Sequence, residues 1–134
     1  IKASPGSGKT TRLPWALAEH SQKKVLVLEP RRLAAKLAAQ RIAQEQNLKL
    51  GEEVGYHFRF EKKTQPQTKL TFFTEGTFLR LLSSDSEMKD VGLVILDEFH
   101  ERHLETDLAL AALRSLQERS QLKLILMSAT LDQK

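Results

Sequence analysis

Residues 3–10 read Ala-Ser-Pro-Gly-Ser-Gly-Lys-Thr. Gly6 and Gly8 carry no side chain, so the backbone there can take open dihedrals and come close to a bound group. Successive N–H groups around Ser7 would turn inward as an anion nest, and the helix that follows adds its positive end. Lys9 is placed to reach the β- and γ-phosphates of a nucleotide, and Thr10 to offer its hydroxyl to Mg²⁺. Ala3 stands where the general pattern has glycine. A glycine-rich turn formed by chance is the competing explanation, but Gly-x-Gly-Lys-Thr between a strand and a helix speaks against it.

A second constellation lies some ninety residues on. The apolar run Leu93-Val94-Ile95-Leu96 leads straight into Asp97-Glu98-Phe99-His100. In a parallel sheet, ligands bind beyond the carboxyl ends of the strands. Asp97 would then face the Mg²⁺ shell, through water, and Glu98 would orient and deprotonate an attacking water. Phosphoryl transfer needs positioning and charge neutralisation more than covalent chemistry, so these few groups suffice. Taken alone, two acids after a strand are more often solvated loop groups. The phosphate loop upstream changes that balance. His100 and His103 form His-x-x-His with no further ligand, which is poor evidence for zinc.

These groups need a frame. Val25–Glu29, Leu70–Thr74, Leu93–Leu96 and Leu122–Met127 are short, continuous apolar runs, the pattern of parallel strands covered on both faces. Ile1-Lys2-Ala3 reads as the tail of a further strand whose start is missing. Helical patterns lie between the runs: Thr10–His20, Arg31–Gln46, Glu75–Ser83 and Leu104–Arg119. The last places Leu104, Leu108, Ala111, Ala112 and Leu116 on one expected buried face. Residues 51–67 are polar, with a short strand expected over Val54–Phe58 and a turn near Pro66. Ser83–Val91 is expected to be a surface loop. Alternating strands and helices imply a doubly wound α/β sandwich.

The 134 residues suit one domain, and the absence of cysteine excludes disulfides, Cys-ligated zinc, iron–sulfur clusters and thiol catalysis. No apolar run approaches the roughly 20 residues of a membrane span. A soluble, cytoplasmic domain is therefore expected. The net charge of +4 is unevenly spread. Residues 1–67 hold 13 Lys and Arg against 6 Asp and Glu, a balance of +7, and residues 68–134 hold 8 against 11, a balance of −3. A basic front half could face phosphates, although a solvated surface would look the same.

Five segments in order resemble the DEAH-box helicases of superfamily two. They are Ala3–Thr10, Glu29–Ala35 (Glu-Pro-Arg-Arg-Leu-Ala-Ala), Phe73–Gly76 (Phe-Thr-Glu-Gly), Asp97–Arg102 (Asp-Glu-Phe-His-Glu-Arg) and Ser128–Thr130 (Ser-Ala-Thr). Val54–Glu61 also looks like the family's Gly-Tyr-x-x-Arg stretch. Most eukaryotic members have Ala where this chain has Phe99, so Asp-Glu-Phe-His looks like a bacterial branch.

The resemblance implies a three-layer RecA-like P-loop NTPase fold over residues 1–134, with a mostly parallel sheet and helices on both faces. It implies ATP and Mg²⁺ as cofactors. Gly6, Ser7, Gly8, Lys9, Thr10 and Thr11 would hold the nucleotide, and Arg41 would stack on its base, although a solvated helix charge explains Arg41 nearly as well. Thr10 and Asp97 would serve the metal, and Lys9, Asp97, Glu98 and His100 the catalysis. Arg31, Arg32, Thr74 and Gly76 would touch the nucleic-acid backbone, a contact that positions a strand without reading it. Cations at a helix N-terminus are unfavourable, so Arg31 and Arg32 call for something negative nearby. Ser128 and Thr130 would couple nucleotide state to domain movement.

The function expected is therefore that of an ATP-binding helicase domain that couples Mg-ATP hydrolysis to translocation and unwinding of single-stranded nucleic acid, with RNA favoured over DNA. Family helicases hold ATP between two such domains, and the second supplies arginine fingers. This sequence carries no second domain, so the isolated fragment is expected to be nearly inactive. One alternative is a P-loop ATPase of another class, which leaves Pro-Arg-Arg, Thr-Glu-Gly and Ser-Ala-Thr unexplained. The other is a non-catalytic nucleic-acid-binding module, which sits poorly with intact Lys9, Asp97 and Glu98.

Overall fold

The computed structural model describes residues 12–84, 88–97 and 104–127. The elements run α1 (Arg12–Glu19), β1 (Lys24–Leu28), α2 (Arg32–Glu45), β2 (Val54–His57), β3 (Lys62–Lys63), β4 (Leu70–Phe73), α3 (Glu75–Ser84), β5 (Val91–Leu96), α4 (Leu104–Gln117) and β6 (Lys123–Leu126). The strands form one sheet in the order β3-β2-β4-β1-β5-β6. Every pairing is parallel except the β2–β3 hairpin.

Alternation along the strands divides the core in two. Val25 and Val27 of β1, Val54 and Tyr56 of β2, and Leu70 and Phe72 of β4 face α1 and α2. Leu26 and Leu28, Phe73, and Val94 and Leu96 face α3 and α4. Both faces are covered, which explains the unbroken apolar runs. On the α2 side, Ala35, Ala38, Ala39, Ile42 and Ala43 are buried, and these small side chains let the helix lie close to the sheet.

Four details differ from the sequence reading. The hairpin strand β3 consists of two exposed lysines and carries no hydrophobic signal. Residues 83–91 are not wholly a surface loop, because α3 runs to Ser84, β5 starts at Val91, and Met88 is buried with a left-handed φ of 46°. Arg31 lies outside α2, with extended φ −114° and ψ 129°.

The buried face of α4 is also rotated from expectation. It is Thr106, Ala109, Leu113 and Leu116, while Leu104 is 74% and Leu108 50% exposed, and Ala111 faces solvent. That face is carried by Ala109, Leu113 and Leu116, which pack into the α3–α4 cluster. Thr106 lies on the same face, and its hydroxyl donates to Glu75 Oε2 at 2.8 Å across α3 and α4.

Candidate functional site

The parallel register brings the carboxyl ends of the central strands to one edge. Leu28 is in register with Phe73 on one side and Leu96 on the other, and Leu96 with Leu126. The ladder continues one residue further. The Glu29 N–H donates to the Phe73 carbonyl at 2.8 Å, the Asp97 N–H to Leu28 at 2.9 Å and the Met127 N–H to Leu96 at 2.8 Å. Thr74, Glu29 and Asp97 therefore follow each other along the edge. From here β1 leads to α2 on one face and β5 leads to α4 on the other. In such sheets ligands bind beyond the carboxyl ends of the strands, where the connections part to opposite faces.

Asp97 and Glu29 lie side by side at that edge, each 2% exposed. Asp97 offers a hard oxygen donor on a strand end fixed by the ladder. Mg²⁺ takes only one or two protein carboxylates and keeps waters and phosphate oxygens for the rest, so Asp97 fits such an ion.

The next strand end is the start of α3. Thr74 precedes the helix, its carbonyl accepts the Phe78 N–H at 3.0 Å, and its hydroxyl donates to Thr77 Oγ1 at 3.0 Å. Thr77 Oγ1 also accepts from Arg80 Nη2 at 3.1 Å. Glu75 is buried in the first turn, where a carboxylate is favoured by the helix dipole. Gly76 lies against α4, and a Cβ there would sit 2.8 Å from Glu105 Oε2.

Arg31 and Arg32 are exposed at the start of α2. Part of the negative charge that Arg32 calls for comes from within the chain, at Glu61. Glu61 accepts from Lys36 Nζ at 2.9 Å and from the Tyr56 hydroxyl at 2.9 Å. Its carboxyl is held below the usual range by the Lys36 and Tyr56 hydrogen bonds, with the Lys36 and Arg32 charges adding to them. Lys36 is raised in turn, chiefly by its bond to Glu61. This cluster ties α2 to the β2–β3 turn.

Arg41 is not brought to the same edge. It lies nine residues beyond Arg32, about 14 Å along the helix axis. Its Nε donates to Glu45 Oε2 at 2.9 Å on an exposed surface. Leu37, Gln40, Arg41, Gln44 and Glu45 line a shallow groove there.

The structure thus gathers Asp97, Thr74, Gly76, Arg31 and Arg32 around the carboxyl edge and sets Arg41 apart. Gly6, Ser7, Gly8, Lys9, Thr10, Thr11, Glu98, His100, Ser128 and Thr130 lie outside the described residues. Sequence reasoning did not single out the buried Glu29, although an acid ending an apolar strand is the signal that singled out Asp97. It also missed the Glu75–Thr106 and Lys36–Glu61 pairs, whose members lie 31 and 25 residues apart.

A sequence model of the DEAD/DEAH box helicase family matches residues 1–134. The chain belongs to the DEAD/DEAH box helicase family. It is 50% identical over 136 aligned residues to the Escherichia coli (strain K12) protein named "ATP-dependent RNA helicase HrpB", covering 98% of this chain and 17% of that one. It is 44% identical over 133 residues to the Saccharomyces cerevisiae protein named "Probable ATP-dependent RNA helicase DHR2", covering 94% of this chain and 18% of that one. Two crystal structures, of the E. coli DExH-box NTPase HrpB and of the E. coli DEAH/RHA helicase HrpB, share the fold with TM-scores of 0.92 and 0.91. Each is 50% identical and matches 98% of this chain and 17% of the solved one. The chain spans less than a fifth of these relatives. The fold is the α/β, mostly parallel RecA-like arrangement that the sequence implied. Among the described residues no helix is long and apolar enough to cross a membrane.

Proposed function

We propose that residues 1–134 form the first RecA-like, ATP-binding domain of a cytoplasmic ATP-dependent RNA helicase. The observation that carries this reading is Asp97, buried at the end of β5 beside Glu29 on the carboxyl edge of the sheet. The relatives' names and the family match support it.

In this reading Gly6, Ser7 and Gly8 cradle phosphates with backbone N–H groups, and Lys9 holds the β- and γ-phosphates. Thr11 lies near the α-phosphate. Thr10 and Asp97 hold Mg²⁺, which when bound neutralises charge on the phosphate oxygens. Glu98 takes a proton from the attacking water. His100, Ser128 and Thr130 pass the nucleotide state to a second RecA-like domain. Arg41 stacks on the base, a contact that tolerates more than one ring. Arg31, Arg32, Thr74 and the Gly76 backbone hold phosphates of a single RNA strand and so set its position without reading its sequence.

Arginine fingers from the second domain are worth roughly 10³–10⁵ in rate, so the isolated domain should bind nucleotide weakly and hydrolyse it very slowly. The test is ATP hydrolysis by the full-length chain with single-stranded RNA, with DNA and with neither. Hydrolysis stimulated by RNA and lost in Lys9→Ala supports the reading. Robust turnover by residues 1–134 alone, abolished by Lys9→Ala, contradicts the need for a second domain.

A further inference from the structure

We propose that the amino edge of the sheet is a second RNA-binding surface, holding phosphates of a stretch of strand distinct from the one at the carboxyl edge. The proposal rests on the RNA reading above and adds a contact surface at the end of the sheet where that reading places nothing.

Four neighbouring strands each bring a lysine to this edge. β1 begins with Lys24 and β6 with Lys123, Lys69 stands immediately before β4, and Lys89 stands two residues before β5. The sheet order sets these strands side by side as β4, β1, β5 and β6. Backbone bonds fix the junction between them. The Lys24 N–H donates to the Asp90 carbonyl at 2.8 Å, and the Val25 N–H to the Lys69 carbonyl at 2.9 Å. At the usual spacing of strands the row is about 14 Å long. Lys23 adds a fifth cation, in a turn held by Ser21. The Ser21 hydroxyl accepts from the Lys23 N–H at 3.1 Å and donates to the Lys23 carbonyl at 2.6 Å.

Lys23, Lys24, Lys69 and Lys89 line one shallow hollow of about 350 Å³, in which Asp90 is the one acid among the lining residues. An adjoining hollow shares Lys23 and Lys89 and adds Arg119. Among the described residues no carboxylate pairs with Lys23, Lys24 or Lys69. Like charges gathered this closely repel one another, and a bound polyanion relieves that repulsion while releasing its own counterions.

The surroundings select the kind of polyanion. Among the described residues the exposed large apolar side chains are Leu33, Leu37, Phe60, Leu104 and Leu108, on α2, the β2–β3 turn and the start of α4. None lies at the amino edge. A lipid surface or a protein hot spot would call for apolar anchors there. Lysine ammonium groups suit phosphates as point charges, and such contacts hold a strand without reading its bases. The five residues of β1 put this edge about 16 Å from the carboxyl edge. The row is therefore separate from Arg31, Arg32, Thr74 and Gly76.

The test uses the full-length chain and two ligands, polyuridylate and an oligouridylate of about six nucleotides, short enough for one strand site. The variant is Lys23→Gln/Lys69→Gln/Lys89→Gln, and Lys→Arg at the same three positions is the control that keeps the charge. Affinity for each ligand is measured across a salt series, together with ATP hydrolysis and the thermal melt.

In the Gln variant polyuridylate affinity should fall about tenfold, and the slope of log affinity on log salt should fall by about 2, at ~0.7 for each of three lost phosphate contacts. Oligouridylate affinity and the hydrolysis it stimulates should stay at wild-type values, and the Arg control should bind both ligands as wild type does. A folded Gln variant with wild-type polyuridylate affinity and salt slope overturns the proposal. So does an equal loss for both ligands, which places the effect at the strand site already described or in the fold. Phosphatidylserine vesicles that bind wild type but not the Gln variant, with polyuridylate binding unaffected, assign the edge to a membrane and also overturn it. If the triple variant does not fold, Lys23→Gln/Lys89→Gln decides, since both side chains are exposed, and an unchanged salt slope in it overturns the proposal. A wild-type chain whose ATP hydrolysis no RNA stimulates overturns the helicase reading instead, while the salt slope, read from binding alone, judges the lysine row separately.

Discussion

Asp97 and Glu29 end neighbouring parallel strands side by side, with the Asp97 N–H bonded to the carbonyl of Leu28, the residue before Glu29. Both residues are almost fully buried at the carboxyl edge of the sheet. In the function proposed above, that edge is where a cation and phosphates lie.

The core on the α3–α4 side depends on Phe78, which is fully buried and meets Phe73 edge-on with ring centroids 6.4 Å apart. Phe78→Ala should destabilise the domain by about 3–5 kcal/mol, the usual cost of a large aromatic cavity. A urea titration followed by far-UV circular dichroism measures it. A loss below about 1 kcal/mol would mean that the site collapses around the gap or was never well packed.

Gly55 lies where β2 passes the end of β3, and a Cβ there would run into the Lys63 carbonyl oxygen. The obstacle is backbone, so it cannot swing away. Gly55→Ala should cost about 1–3 kcal/mol, typical of overpacking, and should raise amide exchange over residues 54–64. An alanine variant as stable as wild type would contradict this account of the hairpin.

Burial pushes the His57 imidazole below its ordinary pKa, with the Lys62 and Arg80 charges acting in the same direction. The unfolded chain therefore binds the proton more readily than the folded one. The contribution of His57 is fully present above its ordinary pKa near 6.5 and is lost as pH falls toward the lower folded value. Urea midpoints at pH 5.5 and 7.5 should differ less in His57→Gln than in wild type. An unchanged or steeper dependence in the variant would refute the assignment.

Arg41 is exposed and paired with Glu45 on the surface of α2, so its removal should leave the fold intact. Surface ion pairs of this kind contribute about 0–1 kcal/mol. In the full-length chain Arg41→Ala should weaken ATP binding by roughly five- to thirtyfold if the guanidinium stacks on the base, the range of a desolvated cation–π contact. Titration with a fluorescent ATP analogue reads this directly. Unchanged affinity would return Arg41 to the role of a solvated helix charge.

Much of this architecture was legible in the sequence for physical reasons. Strands such as Val25–Leu28 and Leu93–Leu96 are buried on both faces, so they announce themselves as unbroken apolar runs. Asp97 stood out because an acid directly follows such a run. What stayed hidden depends on pairings that no local pattern records. Thr106 joins the buried face of α4 through a hydroxyl that meets Glu75 from another helix. Glu61 lies near Lys36 only because the β2–β3 turn folds back on α2. Lys62 and Lys63 form a strand by virtue of what they pair with, Tyr56 and His57, and not by their own character.

The central claim is that Asp97 serves nucleotide hydrolysis at the carboxyl end of β5. Its most direct test is single-stranded RNA-stimulated ATP hydrolysis by the full-length chain carrying Asp97→Asn, which keeps the shape and removes the charge. The account predicts a rate lowered by about 10²–10³-fold, the cost of losing one charged group from a phosphoryl-transfer site, with the melting temperature nearly unchanged. A folded Asp97→Asn chain that hydrolyses ATP at the wild-type rate would contradict it.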